Sequence, residues 1–223
     1  MEGLLRQVDG YCERTDLTYW AEPVNAITNL AFIIAAVIMF QRTRGRDMGL
    51  GVLLSGILFA IGVGSYLFHT HAMIWSLIAD VVPIGIYILV YLYTANITFW
   101  GLGKWVSAGL AALFIPYAAL VTPVFDQLPF FNVSNFYWSV PILIFGYAIA
   151  LRHRTPRTAR GLAIGGTILC VSISLRSVDE TFCEAIPLGT HFLWHCLNGL
   201  MLGWMIEVYR RHVLAARGGA DAT

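Results

Sequence analysis

Charge is what this sequence has least of. Only 12% of its 223 residues are charged, while 58% are hydrophobic. A soluble domain carries roughly 25% charged residues, so half of the usual charge is missing. A single water-soluble core of this size could not hide so much apolar surface, and a bilayer is the solvent that suits it. Internal repeats, low-complexity stretches and acidic or basic tails are also lacking, which argues against a second domain. The net charge of +1 identifies no partner, and a nucleic-acid partner is not expected. The first twenty residues, Met1 to Trp20, are polar and acidic without a charged, apolar, then small progression, so a cleaved signal peptide is not expected.

What is present is a series of apolar runs. A membrane helix needs about 20 apolar residues, and seven candidates follow one another: 23–40, 49–68, 73–95, 102–124, 133–151, 159–175 and 187–209. The predicted fold is an all-α, seven-transmembrane helix bundle. Its parts are a non-cytoplasmic segment over 1–22, a bundle over 23–210 and a cytoplasmic tail over 211–223. Charge placement supports seven spans. All of the 14 basic residues except Arg6, Arg14 and Arg176 fall on the side of the C-terminus. The positive-inside rule then sets the C-terminus in the cytoplasm and the N-terminus outside. The non-cytoplasmic side is acidic, with Glu2, Asp9, Glu13, Asp16, Glu22, Asp126, Asp179, Glu180 and Glu184. Cys12 and Cys183 share that oxidising side, where they either pair or remain two free thiols. Cys170 and Cys196 lie within spans.

Ionisable groups inside a span are costly and usually functional. Ser65 and His69 lie in the last turns of the second span, which runs outward. Asp80 lies two turns into the third, which runs back. His191 and His195 lie in the first turns of the seventh. All five therefore fall at one depth in the outer half of the membrane, although they come from three separate spans. His191 and His195, four apart, point from one helix face, and His69 from a facing helix supplies a third imidazole. Three protein ligands leave a fourth position for water, the arrangement of a catalytic zinc site. Asp80 is the candidate general base, and Ser65, one turn before His69, the candidate donor to an oxyanion. His71, at the membrane edge, reads as a loop histidine. His153 and His212 lie on the opposite side. Trp194 and Asn198 read as packing or supporting residues.

Three dispersed segments carry a family resemblance. Gly64-Ser65-Tyr66-Leu67-Phe68-His69, with Asp80 eleven residues on, resembles the first motif of the alkaline ceramidases. These belong to a wider superfamily of seven-span hydrolases that includes the adiponectin receptors. Phe182-Cys183-Glu184 followed by His191-Phe192-Leu193-Trp194-His195 resembles the last motif, and Ala21-Glu22-Pro23-Val24-Asn25 the start of the first span. The resemblance implies that His69, His191 and His195 hold zinc, that Asp80 and Ser65 assist catalysis, and that Cys12 pairs with Cys183. It also implies calcium in the N-terminal segment, with Asp9, Glu13, Asp16 and Glu22 as candidate ligands, since closely spaced acids suit that ion. The pattern departs here in a glycine, a threonine and a shorter spacing to Glu22. The implied activity is hydrolysis of the amide of a ceramide-like membrane lipid to a sphingoid base and a fatty acid. The alternatives are hydrolysis of another acyl ester or amide, and a seven-helix receptor or channel without hydrolase activity.

Overall fold

The computed structural model describes residues 2–8 and 10–220. Asp9, one of the candidate calcium ligands, lies outside the described residues. Among the described residues, six helices are long and apolar enough to cross a membrane: Pro23–Thr43, Gly49–His71, Ile74–Phe99, Lys104–Asp126, Asn132–Leu151 and Pro156–Ser177. The seventh, His191–Ala220, is 30 residues long. It is less apolar because His191, His195, Asn198 and Glu207 all lie on it. Large apolar side chains such as Ile34, Leu120, Ile149 and Leu200 remain exposed along the helices, as a lipid-facing surface requires.

Two spans are broken, each for a local reason. The first is interrupted at Asn29, whose side-chain amide donates to the Asn25 carbonyl at 2.9 Å. The fourth is interrupted at Leu113, where Pro116 has no N–H to return to the carbonyl of Ala112. The seventh helix starts at His191 rather than at the expected residue 187. Gly189 stands in the left-handed region at φ 67°, and the buried Asp179 carboxylate accepts from the amides of Thr190 at 2.5 Å and His191 at 2.8 Å. A carboxylate on the first free amides of a helix satisfies orphan donors and favours its positive end. A residue near the loop between the sixth and seventh helices thus decides where the histidine-bearing helix begins.

The second span packs against the first and third, the sixth against the fifth and seventh, and the seventh closes the bundle against the first. Leu54, Leu58, Ile61, Leu162 and Ile206 fill the core between them. Two glycines permit close helix approach. A Cβ at Gly64 would lie 2.0 Å from the Ala79 carbonyl oxygen, and one at Gly199 would lie 2.8 Å from the Ala31 carbonyl carbon. The first contact brings the second and third spans together beside Ser65 and Asp80. The second brings the seventh helix against the first span beside His195.

The bundle ends are tied differently. At the end remote from the histidines, the buried Glu207 of the seventh helix takes Arg42 of the first span at 3.3 Å, Arg210 at 2.7 Å and Arg211 at 2.8 Å. At the histidine end, the N-terminal segment folds back over the helices. Val8 donates its amide to the Ala72 carbonyl at 2.8 Å, and Ile74 donates to the Arg6 carbonyl at 3.0 Å. A Cys12–Cys183 disulfide pins the segment to the loop before the seventh helix. Asp179 adds to that link by accepting from the Cys12 amide at 3.1 Å.

Candidate metal centre

His69, His191 and His195 meet in the interior, each about 2% exposed or less. One ring nitrogen from each lies within 4.8 Å of the others. Hydrogen bonds around two of the rings show where their protons sit. His69 Nδ1 lies 2.6 Å from Glu22 Oε2, and a carboxylate can only accept, so the proton sits on Nδ1 and the Nε2 lone pair is free. His195 Nδ1 lies 2.9 Å from the Thr28 hydroxyl. That hydroxyl already donates to the Val24 carbonyl at 2.8 Å, so it accepts from Nδ1–H and again leaves Nε2 free. His69 Nε2, His195 Nε2 and His191 Nδ1 are buried and have no hydrogen-bond partner.

A buried polar atom without a partner costs about 1–3 kcal/mol. Three histidines that meet within 4.8 Å, each with one such nitrogen, are the pattern a bound cation relieves. Three imidazoles are a donor set suited to zinc, with one position left over. The residues therefore fit the metal that the sequence implies.

The surroundings were only partly legible in the sequence. Glu22 is a hub: its carboxylate takes Arg14 Nε at 2.6 Å, the Asn25 side-chain amide at 3.1 Å and His69 Nδ1 at 2.6 Å. Arg14 is buried and also donates to the His69 backbone carbonyl at 3.0 Å. Burial alone would raise the Glu22 carboxyl. The hydrogen bonds from His69 and Arg14, with the Arg14 charge, overcome it and hold the group below its ordinary value. A carboxylate behind a ligating imidazole fixes its tautomer and orientation and raises its basicity. Tyr11 stacks on His191 with ring centroids 3.7 Å apart and covers the centre from the N-terminal side. Burial pushes its phenol up, against the pull of Arg176, so it stays protonated at neutral pH.

Asp80, half-buried on the third span, faces the Ser65 hydroxyl and lies in the field of His69 and Arg176. Ser65 is buried. The structure thus brings Ser65, His69, Asp80, His191 and His195 to one place. His71 stays apart, packing against Tyr19 and Trp75.

Of the acids considered for calcium, the three among the described residues all make hydrogen bonds within the protein. Glu13 accepts from the amides of Val24 at 2.7 Å and Asn25 at 2.8 Å, capping the first span. Asp16 is exposed and accepts from the amide and hydroxyl of Thr18. Glu22 has both oxygens engaged as described. Among the described residues these three do not gather into a metal-holding group. Arg14, whose guanidinium meets Glu22, was not among the site residues that the sequence suggested.

One comparison with known proteins decides the family. The chain matches the ceramidase family over residues 9–218, nearly its whole length. It belongs to the ceramidase family. No curated protein matches it. Membership supports amidohydrolase chemistry on a lipid, and the three histidines are where a ceramidase-family protein of this build could hold its metal.

Thr28, Asp179, Arg14 and Arg176 escaped the sequence reading as site residues. For the two arginines a signal existed. They are two of the three basic residues that break the separation of charge between the two sides of the membrane.

Proposed function

We propose that this chain is a zinc-dependent intramembrane hydrolase that cleaves the amide of a ceramide-like lipid. The observation that carries the reading is the meeting of three buried histidines, each with an unpartnered ring nitrogen, with Asp80 and Ser65 at the same depth. His69, His191 and His195 would hold the ion. Zinc, when bound, supplies a Lewis acid that polarises the amide carbonyl and lowers the pKa of water towards neutrality. Asp80 takes a proton from the attacking water and delivers it to the departing nitrogen. The C–N bond breaks as a C–O bond forms, leaving a fatty acid and an amine base. The Ser65 hydroxyl donates to the carbonyl oxygen as negative charge develops on it. Glu22 and Arg14 hold His69 in one orientation, and Thr28 does the same for His195.

An apolar cavity supports a long acyl chain as the other half of the substrate. It runs between the third, fifth, sixth and seventh helices, lined by Tyr87, Tyr91, Leu162, Met201 and Leu202, with Tyr137 and Asn198 also on its wall. Asn198 lies three residues beyond His195, so the cavity begins about one turn from the centre. A chain in this cavity with its carbonyl at the histidines places the head group towards the N-terminal segment. The distribution of basic residues supports a site in the outer half of the membrane.

Purified protein in nanodiscs, incubated with a mixture of ceramides, N-acyl amines and glycerolipids, should release fatty acid and sphingoid base, read by mass spectrometry. About one zinc per chain should accompany it. Asp80→Asn should retain zinc and lose at least 100-fold in turnover. His191→Ala should lose both. Ester cleavage without amide cleavage would reassign the substrate, and wild-type protein without metal would remove the centre from the mechanism.

A further inference from the structure

Arg176 is a cation at the histidine end that the proposed mechanism does not use. It lies in the last turn of the sixth span. Its Nη1 donates to the Val133 carbonyl at 3.1 Å and the Ser134 hydroxyl at 2.8 Å, and its Nη2 lies 3.5 Å from the Tyr11 hydroxyl. The guanidinium rests over the rings of Tyr137 at 5.3 Å and Trp194 at 5.8 Å. Every one of these partners is neutral. Among the described residues no carboxylate lies within 4.0 Å of it, and Asp80 acts on it only from beyond that distance. An arginine taken partly out of water is costly unless a counter-charge meets it.

Its position says what that counter-charge is. Tyr137, beneath the guanidinium, also lines the apolar cavity. Trp194, the other ring beneath it, sits between His191 and His195 in sequence. The cation thus stands where an acyl chain in the cavity would end and where the histidines begin. Five donors in a planar fork match a carboxylate, and the three hydrogen bonds above leave donors over. The aromatic faces hold the fork in place before any ligand arrives.

We propose that Arg176 binds the carboxylate of a long-chain fatty acid whose chain occupies this cavity. Identifying that acid as the released product rests on the hydrolase reading above; the binding site itself does not. A neutral amide gives Arg176 no charge to meet, whereas the developing oxyanion and the fatty acid do. Its loss therefore lowers kcat more than it raises KM, and it relieves inhibition by product.

The test uses protein stripped of metal with a chelator, so that no ion competes for the carboxylate. Displacement of a fluorescent fatty acid is measured with dodecanoate and with dodecanol at equal micellar mole fraction, at a pH well above the carboxylate range. Wild-type protein should prefer dodecanoate by about ten- to a hundredfold, the worth of one charge-assisted hydrogen-bonded contact. Arg176→Gln should bind the two alike, and Arg176→Lys should keep most of the preference, which excludes misfolding as the cause. Equal binding by the wild type, or an undiminished preference in Arg176→Gln, would overturn the assignment. The two readings fail separately. Amide cleavage without a carboxylate preference sinks only the Arg176 proposal. A preference that depends on Arg176, in a protein that cleaves no lipid, upholds it while sinking the hydrolase.

Discussion

Replacing Glu22 with glutamine tests the support behind the centre with almost no change in shape. The carboxylate at position 22 accepts from His69 Nδ1 at 2.6 Å and from Arg14 Nε at 2.6 Å. Glutamine loses the charge and offers one acceptor oxygen for three donors, the Asn25 amide included. A hydrogen bond to a charged group is worth about 1.5–3 kcal/mol. Loss of the partner behind a metal-ligating histidine typically costs about 10–100-fold in metal affinity, or about 1.4–2.8 kcal/mol. The two estimates agree, so zinc affinity should fall by one to two orders of magnitude. Stability should fall further, because Arg14 is left as a buried charge; breaking such a pair costs about 3–5 kcal/mol. Glu22→Gln/Arg14→Met removes the stranded charge as well. The double variant should recover much of the melting temperature yet keep the weakened zinc affinity, a non-additivity expected of touching residues. Zinc competition against a chelator and thermal unfolding in one detergent read both quantities. Unchanged zinc affinity in Glu22→Gln, or full recovery of it in the double variant, would refute the reasoning.

Three other perturbations address other parts of the molecule. Reducing Cys12–Cys183 releases a link between residues 171 apart in sequence, worth up to about 5 kcal/mol in the chain-entropy account. The melting temperature should drop on adding reductant, and Cys12→Ser should abolish that sensitivity. Gly64→Ala puts a methyl 2.0 Å from the Ala79 carbonyl oxygen. This is overpacking against backbone, so a loss of at least about 1–3 kcal/mol is expected, and turnover should fall as Asp80 moves off Ser65 while zinc content holds. Hydrogen bonds from the Thr18 hydroxyl and amide hold the Asp16 carboxyl below its ordinary value. That turn is complete above the ordinary aspartate range and is lost as pH falls through the lower folded value. In an NMR titration of the Asp16 carboxyl carbon, Thr18→Val should move the midpoint upward; an unmoved midpoint would show that the turn does not hold the charge.

Much of this protein is decided along the chain itself. Seven apolar runs and the separation of Arg42, Arg152 and Arg210 from Glu13 and Asp179 are one-dimensional facts, because the bilayer sorts residues by depth and side. Depth alone brought Ser65, His69, Asp80, His191 and His195 to one level, since each span must cross the same thickness. What the sequence could not decide is who faces whom within that level. A sequence of alternating spans does not say that Arg14 meets Glu22, or that Asp179 starts the seventh helix at His191. Nor does it say that Tyr11 closes over His191 beside Arg176, which among the described residues has no carboxylate within 4.0 Å. Those relations come from the N-terminal segment folding back across the bundle and being tied at Cys12. The Cys12–Asp179 and Tyr11–Arg176 contacts join residues more than 160 positions apart, and even the Arg14–Glu22 pair, eight apart, is set by how that segment folds back, which local pattern does not encode. Membrane depth is read off the chain one span at a time, whereas the partners of a buried charge are chosen only when the helices close on one another.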